Sequence, residues 1–225
     1  MRTRLIVDST SQLQELEEHS RPVKIMAKII SYVFHPVFVP VYIVLFILYV
    51  LPDTFISFPP AQKTIVLLQA VVPYVLFPVI TVLLLKALNF ISTVYLTTRK
   101  DRIIPYIACN IWYFWIWNVW KQLPGYPREI VLLSMTIFLA STLGFLINIY
   151  MKISMHAIAM GVLAGFLVLL GLTESYGFGL YIFASLLVCG LVCTARFIAS
   201  DHTKKEIYGG ILAGLASLLL SSLFV

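Results

Sequence analysis

The third of three short polar segments carries the residues best suited to chemistry. Arg196 is followed after five intervening residues by His202, and Glu206 lies four positions further on. Helical spacing places His202 and Glu206 on one face, where a carboxylate fixes the tautomer of an imidazole and steadies its charged form. The guanidinium of Arg196 matches the geometry of phosphate oxygens. The segment therefore predicts an acid-oriented histidine beside an anion-binding group.

A second polar segment begins a predicted membrane span and contains Ser154 and His156. Free N–H groups at the N-terminus of a helix favour anions, and these two side chains add a hydroxyl group and a second imidazole. The pattern predicts a second set of groups that could contact a phosphate.

The first polar segment contains Arg99, Lys100 and Arg102 near the start of another span. Ionisable residues at membrane depth mark functional sites, and we expect all three segments on the same face of the bilayer. Two histidines, an orienting acid and several basic groups suit metal-free phosphoryl transfer through a phosphohistidine.

This pattern resembles the type 2 phosphatidic acid phosphatase superfamily of lipid phosphate phosphatases. The three motifs of that superfamily read K-x6-R-P, P-S-G-H and S-R-x5-H-x3-D. Arg196, His202 and Glu206 match the third motif, with Ala195 in place of the serine and glutamate in place of the aspartate. The resemblance covers about residues 95–215.

The other two motifs diverge further from the family pattern. Ser154 and His156 match the second motif, but Met155 replaces its glycine. Arg102 stands three positions before a proline instead of one, and Tyr95 occupies the place of the motif lysine. The first motif is therefore matched only by its arginine.

The resemblance implies a cofactor-independent phosphatase that acts on a lipid phosphate or a prenyl diphosphate. His202 would be the nucleophile, Glu206 would orient it, and His156 would protonate the leaving alkoxide. Five polar residues would hold the phosphate oxygens: Arg196, Ser154, Arg102, Arg99 and Lys100.

The elements that must position these residues are membrane spans. Hydrophobic residues make up 60% of the chain, charged residues 12%, and the mean hydropathy is +0.96, whereas soluble domains carry about 25% charge. We expect an all-α polytopic transmembrane bundle of about seven spans, with six left open, over residues 29–225. The predicted spans lie near residues 29–51, 64–88, 103–120, 130–150, 157–172, 180–199 and 207–225.

Residues 1–28 are predicted to form a polar tail. Its apolar run is too short for a cleavable signal peptide, and we expect a short helix capped by Ser11 with Glu15 in its first turn. With seven spans, 13 basic residues share the side of the tail and 3 lie on the other side, which together make the 16 Lys and Arg residues. The positive-inside rule then places the tail in the cytoplasm, and we expect a bacterial inner membrane protein.

Two alternatives remain open beside the phosphatase hypothesis. The bundle could bind or transport an anionic phospholipid with the same basic pocket and without turnover. A membrane-bound prenyltransferase would need paired aspartate-rich motifs for magnesium, whereas Asp53, Asp101 and Asp201 are isolated. We expect a membrane lipid as the binding partner and no binding of nucleic acid. Whether the protein forms a homo-oligomer is left open.

Other residues receive structural interpretations. The three cysteines are expected to be buried thiols, because a metal site usually needs about four ligands. His35, beside Pro36, is interpreted as structural, and the four tryptophans are expected to face the lipid or its interface.

Overall fold

The computed structural model describes residues 3–7, 13–17, 19–51, 53–96, 98–173, 177–199 and 202–225. Within these ranges two strands precede nine α-helices. The strands are β1 (Thr3–Val7) and β2 (Leu13–Glu17). The helices are α1 (Arg21–Val33), α2 (Val39–Tyr49), α3 (Pro60–Val71), α4 (Phe77–Ala87), α5 (Arg99–Gln122), α6 (Arg128–Tyr150), α7 (Met155–Thr173), α8 (Gly179–Ala199) and α9 (Lys204–Ser221). A π-helical turn (Val72–Leu76) joins α3 to α4.

The polar tail contains a β-hairpin instead of the predicted short helix. β1 and β2 pair antiparallel, with Thr3 opposite Glu17 and Val7 opposite Leu13. β-branched residues in β1 favour extended backbone, and an isolated helix of a few residues is marginal in water. The predicted cap, Ser11, lies outside the described residues.

Four helical segments are long and apolar enough to cross a membrane, which indicates an integral membrane protein. They are Pro60–Ala87, Arg128–Tyr150, Met155–Thr173 and Gly179–Ala199. The prediction of seven spans is therefore wrong for the described part of the chain. The three remaining predicted spans fail for different physical reasons.

The first predicted span is divided at the dipeptide His35-Pro36. α1 ends at Val33 and α2 begins only at Val39, because a proline disfavours helical backbone in the residue before it. At 1.5 Å per residue the 11 residues of α2 extend about 16 Å, which is roughly half the hydrocarbon thickness of a bilayer.

α5 and α9 are long enough but less apolar. α5 has 24 residues, among which four tryptophans, two tyrosines and two asparagines lower the hydropathy. α9 has 18 residues and begins with Lys204, Lys205 and Glu206. Charge and polar aromatic groups, not helix length, separate these two helices from the four candidate spans.

The centre of the bundle is α7, which packs against α8 and most extensively against α9. Glycines allow the close approach of α7 and α9: a Cβ atom on Gly161 would collide with the backbone of Ile211, and one on Gly214 with the backbone of Ile158. Around this pair, α6 contacts α5 and α9, and α1 contacts α8.

The tryptophan prediction fails at Trp120. Its side chain is fully buried, and its Nε1–H donates a hydrogen bond to Oε1 of Gln69 at 3.2 Å. The hydroxyl of Tyr126 donates to the same oxygen at 2.7 Å. Because a partly buried amide needs partners, these two aromatic residues serve as hydrogen-bond donors to Gln69.

Neighbouring glycines on α9 provide a test of the α7–α9 contact. A Cβ atom on Gly210 would lie 2.7 Å from Cβ of Ala157 and 2.9 Å from the carbonyl oxygen of Ser154, whereas one on Gly209 would meet nothing within 4 Å. We expect Gly210→Ala to destabilise the protein by about 1–3 kcal/mol through overpacking. Gly209→Ala, the matched control, should be neutral or stabilising by up to about 1 kcal/mol. Thermal unfolding in detergent would measure both, and equal effects would contradict the proposed contact.

Candidate functional site

The three polar segments meet at one end of the bundle. The N–H of Ser154, in the second segment, donates a hydrogen bond to the carbonyl of Glu206 in the third at 3.2 Å. In the first segment, Nη1–H of Arg102 donates to the carbonyl of Ile153 at 2.7 Å. Residues far apart in the chain are thereby held together by hydrogen bonds to backbone carbonyls.

The histidine–acid pair lies at the start of α9, where His202 precedes the N-cap and Glu206 is in the first turn. The hydroxyl of Thr203 accepts a hydrogen bond from the N–H of Glu206 at 3.3 Å and so caps the helix. Glu206 can then accept a hydrogen bond from Nδ1–H of His202, with 2.6 Å between Nδ1 and Oε2. Both residues are 3% exposed.

Burial has a direct effect on His202. It lowers the pKa of the ring, while the hydrogen bond to Glu206 acts in the opposite direction. A neutral ring with its proton on Nδ1 has a lone pair on Nε2. Nε2 is therefore the nitrogen through which His202 could react with a ligand.

A cavity of about 920 Å³ lies beside this pair and is lined by His202. Its lining combines basic and imidazole groups with apolar side chains from α2, α4, α5, α6 and α7. On α5 the lining runs from Arg102 to Tyr113, a distance of about 16 Å along the helix at 1.5 Å per residue. The basic and imidazole groups are Lys28, Arg102, Lys152, Arg196, His35, His156 and His202.

His156 occupies the first turn of α7 and is 9% exposed. Its Nε2–H donates a hydrogen bond to the carbonyl of Ser31, on α1, with 3.0 Å between the two atoms. The ring also packs edge-to-face against His35, with 5.4 Å between the ring centroids. Both histidines line the cavity.

Four of the predicted site residues do not line the cavity. Ser154 is fully buried, and its hydroxyl accepts a hydrogen bond from the N–H of Ala157 at 3.4 Å as a cap of α7. Glu206 contacts His202 instead. Arg99 and Lys100 are exposed, and the guanidinium of Arg99 donates to the carbonyl of Tyr150 at 2.6 Å, where α6 ends.

Arg102 is held by a folded loop before α5. Its Nε–H donates to the carbonyl of Leu96 at 2.7 Å. The loop itself is organised by Asp101, whose carboxylate accepts hydrogen bonds from the N–H and hydroxyl of Ser92 at 2.9 and 2.6 Å and from the hydroxyl of Thr98 at 2.9 Å. Asp101 thus fixes the backbone that positions Arg102.

Three basic or imidazole residues of the cavity were not among the predicted site residues: Lys28, His35 and Lys152. Lys152 is two positions before Ser154, so its proximity was visible in the sequence. His35 had a weaker signal, namely a histidine beside a helix-breaking proline inside an apolar run. No sequence signal pointed to Lys28, because its position in α1 has no regular spacing relative to the three polar segments.

No known protein family matches this chain, and no curated protein or solved structure shows significant similarity to it. Among the described residues, no three His, Cys, Asp or Glu side chains are grouped as ligands for a metal ion.

The carboxylate of Asp101 provides a pH-dependent test of the loop. Hydrogen bonds from Ser92 and Thr98 hold its pKa below the ordinary value of 3.8. The stabilisation is therefore fully present above pH 3.8 and is lost as the pH falls through the lower pKa of the folded state. We expect Asp101→Asn to lower the unfolding temperature at pH 7, at a cost of about 1–3 kcal/mol, and to differ less from the wild type near pH 3.

Asp53→Asn is the matched control, because Asp53 is exposed in the connection between α2 and α3. It should leave the unfolding temperature nearly unchanged at both pH values. A wild-type advantage over Asp101→Asn that stayed constant across the pH series would contradict the role assigned to the carboxylate.

Proposed function

We propose that this protein is a membrane-embedded phosphatase that hydrolyses a lipid phosphate or a prenyl diphosphate through a phosphohistidine intermediate, without a metal ion. One observation carries the proposal: His202, bound through Nδ1 to Glu206, lines a cavity that also contains Arg102, Arg196 and His156. Membership of the type 2 phosphatidic acid phosphatase superfamily is part of the same proposal and is supported by the spacing of Arg196, His202 and Glu206.

The composition of the cavity supports an amphiphilic substrate. Binding pockets are mostly apolar with a few placed polar groups, and here two guanidinium groups accompany a wall of apolar side chains. A phosphate would lie near Arg102 and Arg196, and a hydrocarbon chain would extend along α5 toward Tyr113.

In the first half-reaction, Nε2 of His202 would attack the phosphorus atom. The new N–P bond forms as the P–O bond to the leaving group breaks, and His156, in its imidazolium form, would transfer a proton to the departing oxygen and become neutral. Arg102 and Arg196 would stabilise the negative charge that develops on the phosphoryl oxygens. Glu206 would stabilise the positive charge that develops on the His202 ring.

In the second half-reaction, water would attack the phosphorus atom of the phosphohistidine. His156, now without the proton that it gave away, would accept one from this water. The N–P bond breaks, inorganic phosphate leaves, and His202 returns to its neutral form. The cycle consumes one water molecule and needs no other reactant.

The proposed location is the inner membrane of a bacterium, with the site on the cytoplasmic side. The basic residues that line the cavity, namely Lys28, Arg102, Lys152 and Arg196, support this orientation under the positive-inside rule.

The direct test is phosphate release by purified protein from phosphatidate and from farnesyl diphosphate, with a metal chelator present. We expect His202→Ala to lower turnover by at least about 10³-fold, because it removes the nucleophile. His19→Ala, which changes a histidine in the tail, is the control. Turnover that His202→Ala leaves intact would rule out the proposed mechanism.

A non-catalytic function is the second candidate, and a specific observation favours it. Ser154 and Arg99, two of the proposed phosphate ligands, are engaged in capping backbone groups. The cavity would then bind an anionic phospholipid, and bind or transport it without hydrolysis. In that case wild-type protein would bind phosphatidate vesicles without releasing phosphate, and Arg196→Ala would weaken this binding about tenfold or more.

A further inference from the structure

The end of α1 and the break that follows it supply two contacts to His156. Ser31, in the last turns of α1, accepts the hydrogen bond from Nε2–H through its backbone carbonyl. Four residues later, the ring of His35 meets the ring of His156 at an interplanar angle of 82°. Both contacts come from a part of the chain that lies more than 100 residues away from α7.

The carbonyl of Ser31 determines which nitrogen of His156 can exchange a proton. A carbonyl oxygen can only accept hydrogen bonds, so the proton of the neutral ring lies on Nε2. Nδ1 then carries the lone pair. If the ring keeps this orientation, Nδ1 is the nitrogen that takes up a proton to form the imidazolium and then gives that proton to a leaving group in the cavity.

A hydrogen bond to one carbonyl leaves the ring of His156 free to tilt, and an acid would ordinarily steady it. His202 has Glu206 for this purpose. The described groups whose charge acts on His156 are Arg196 from α8, His35 from the α1–α2 break, and His202. None of these three is an acid, so the orientation of His156 has to come from packing.

We infer that His35 is a positioning residue of the proposed reaction, whose ring holds His156 with Nε2–H on the Ser31 carbonyl and Nδ1 toward the cavity. The inference rests on the proposed function. Nothing in the three family-like motifs includes His35.

The rival explanation is that His35 only shapes the local turn. Its Nδ1 accepts a hydrogen bond from the N–H of Val37 at 3.4 Å. His35→Asn can keep such an acceptor but removes the ring, whereas His35→Phe keeps a ring and removes the acceptor. The two variants therefore separate positioning from turn formation.

We expect His35→Asn to lower kcat for farnesyl diphosphate by about tenfold or more, with KM changed less than about threefold, because a misplaced acid slows the chemical step. His35→Phe should lower kcat by no more than about threefold, because the ring contact is kept. Wild-type kcat in His35→Asn, or an equal loss of kcat in both variants, would overturn the inference.

A second measurement does not depend on turnover. Nitrogen NMR of ¹⁵N-histidine-labelled protein, assigned with His156→Gln, should show a single Nε2–H tautomer for His156 in the wild type and in His35→Phe. It should show both tautomers in His35→Asn. If the wild type hydrolysed neither substrate, the proposed function would fail, but the NMR comparison would still test His35. A single tautomer in all three proteins would overturn the positioning role of His35.

Discussion

The close contact between α7 and α9 is the constraint on which the candidate site depends. Gly161 and Gly214 lack the side chains that would separate the two backbones. At this distance the N–H of Ser154 can reach the carbonyl of Glu206, so the start of α7 and the start of α9 form one rigid corner. His156 and His202 project from that corner, and wider spacing of the helices would separate them.

Basic residues at the site serve the architecture as well as any ligand. Arg102 bridges the carbonyls of Leu96 and Ile153, and Arg99 reaches the last carbonyl of α6. An arginine has five donors in a fixed plane, so one side chain can join backbone segments and still face a cavity. In the sequence, Arg99 and Arg102 together resemble a phosphate site. In the structure only Arg102 lines the cavity, whereas Arg99 caps the end of α6.

Contacts between residues a few positions apart were the easiest to predict from the sequence. Contacts between helices that are distant in the chain were the hardest. The four-residue spacing predicted that His202 and Glu206 share a helical face. Their side chains are hydrogen-bonded, but His202 precedes the helix, whose N-cap is Thr203. The number of spans was overestimated because the break at His35-Pro36 divides the first apolar run, and because α5 and α9 contain too many charged or polar aromatic residues. His35 was interpreted as structural because its partner, His156, lies on another helix, and no periodicity connects the two.

The meeting of the three polar segments also bears on how the protein is made. The hydrogen bonds that join Ser31 to His156, Arg102 to Ile153 and Ser154 to Glu206 link positions about 50 to 125 residues apart. Contacts of such long range form slowly, and a chain is synthesised from its N-terminus. The site is therefore incomplete until α9 has been synthesised and has packed against α7. Until then the glycine face of α7 has no partner in its own chain, and this interval is when the nascent protein is most exposed to mispairing with other helices in the membrane.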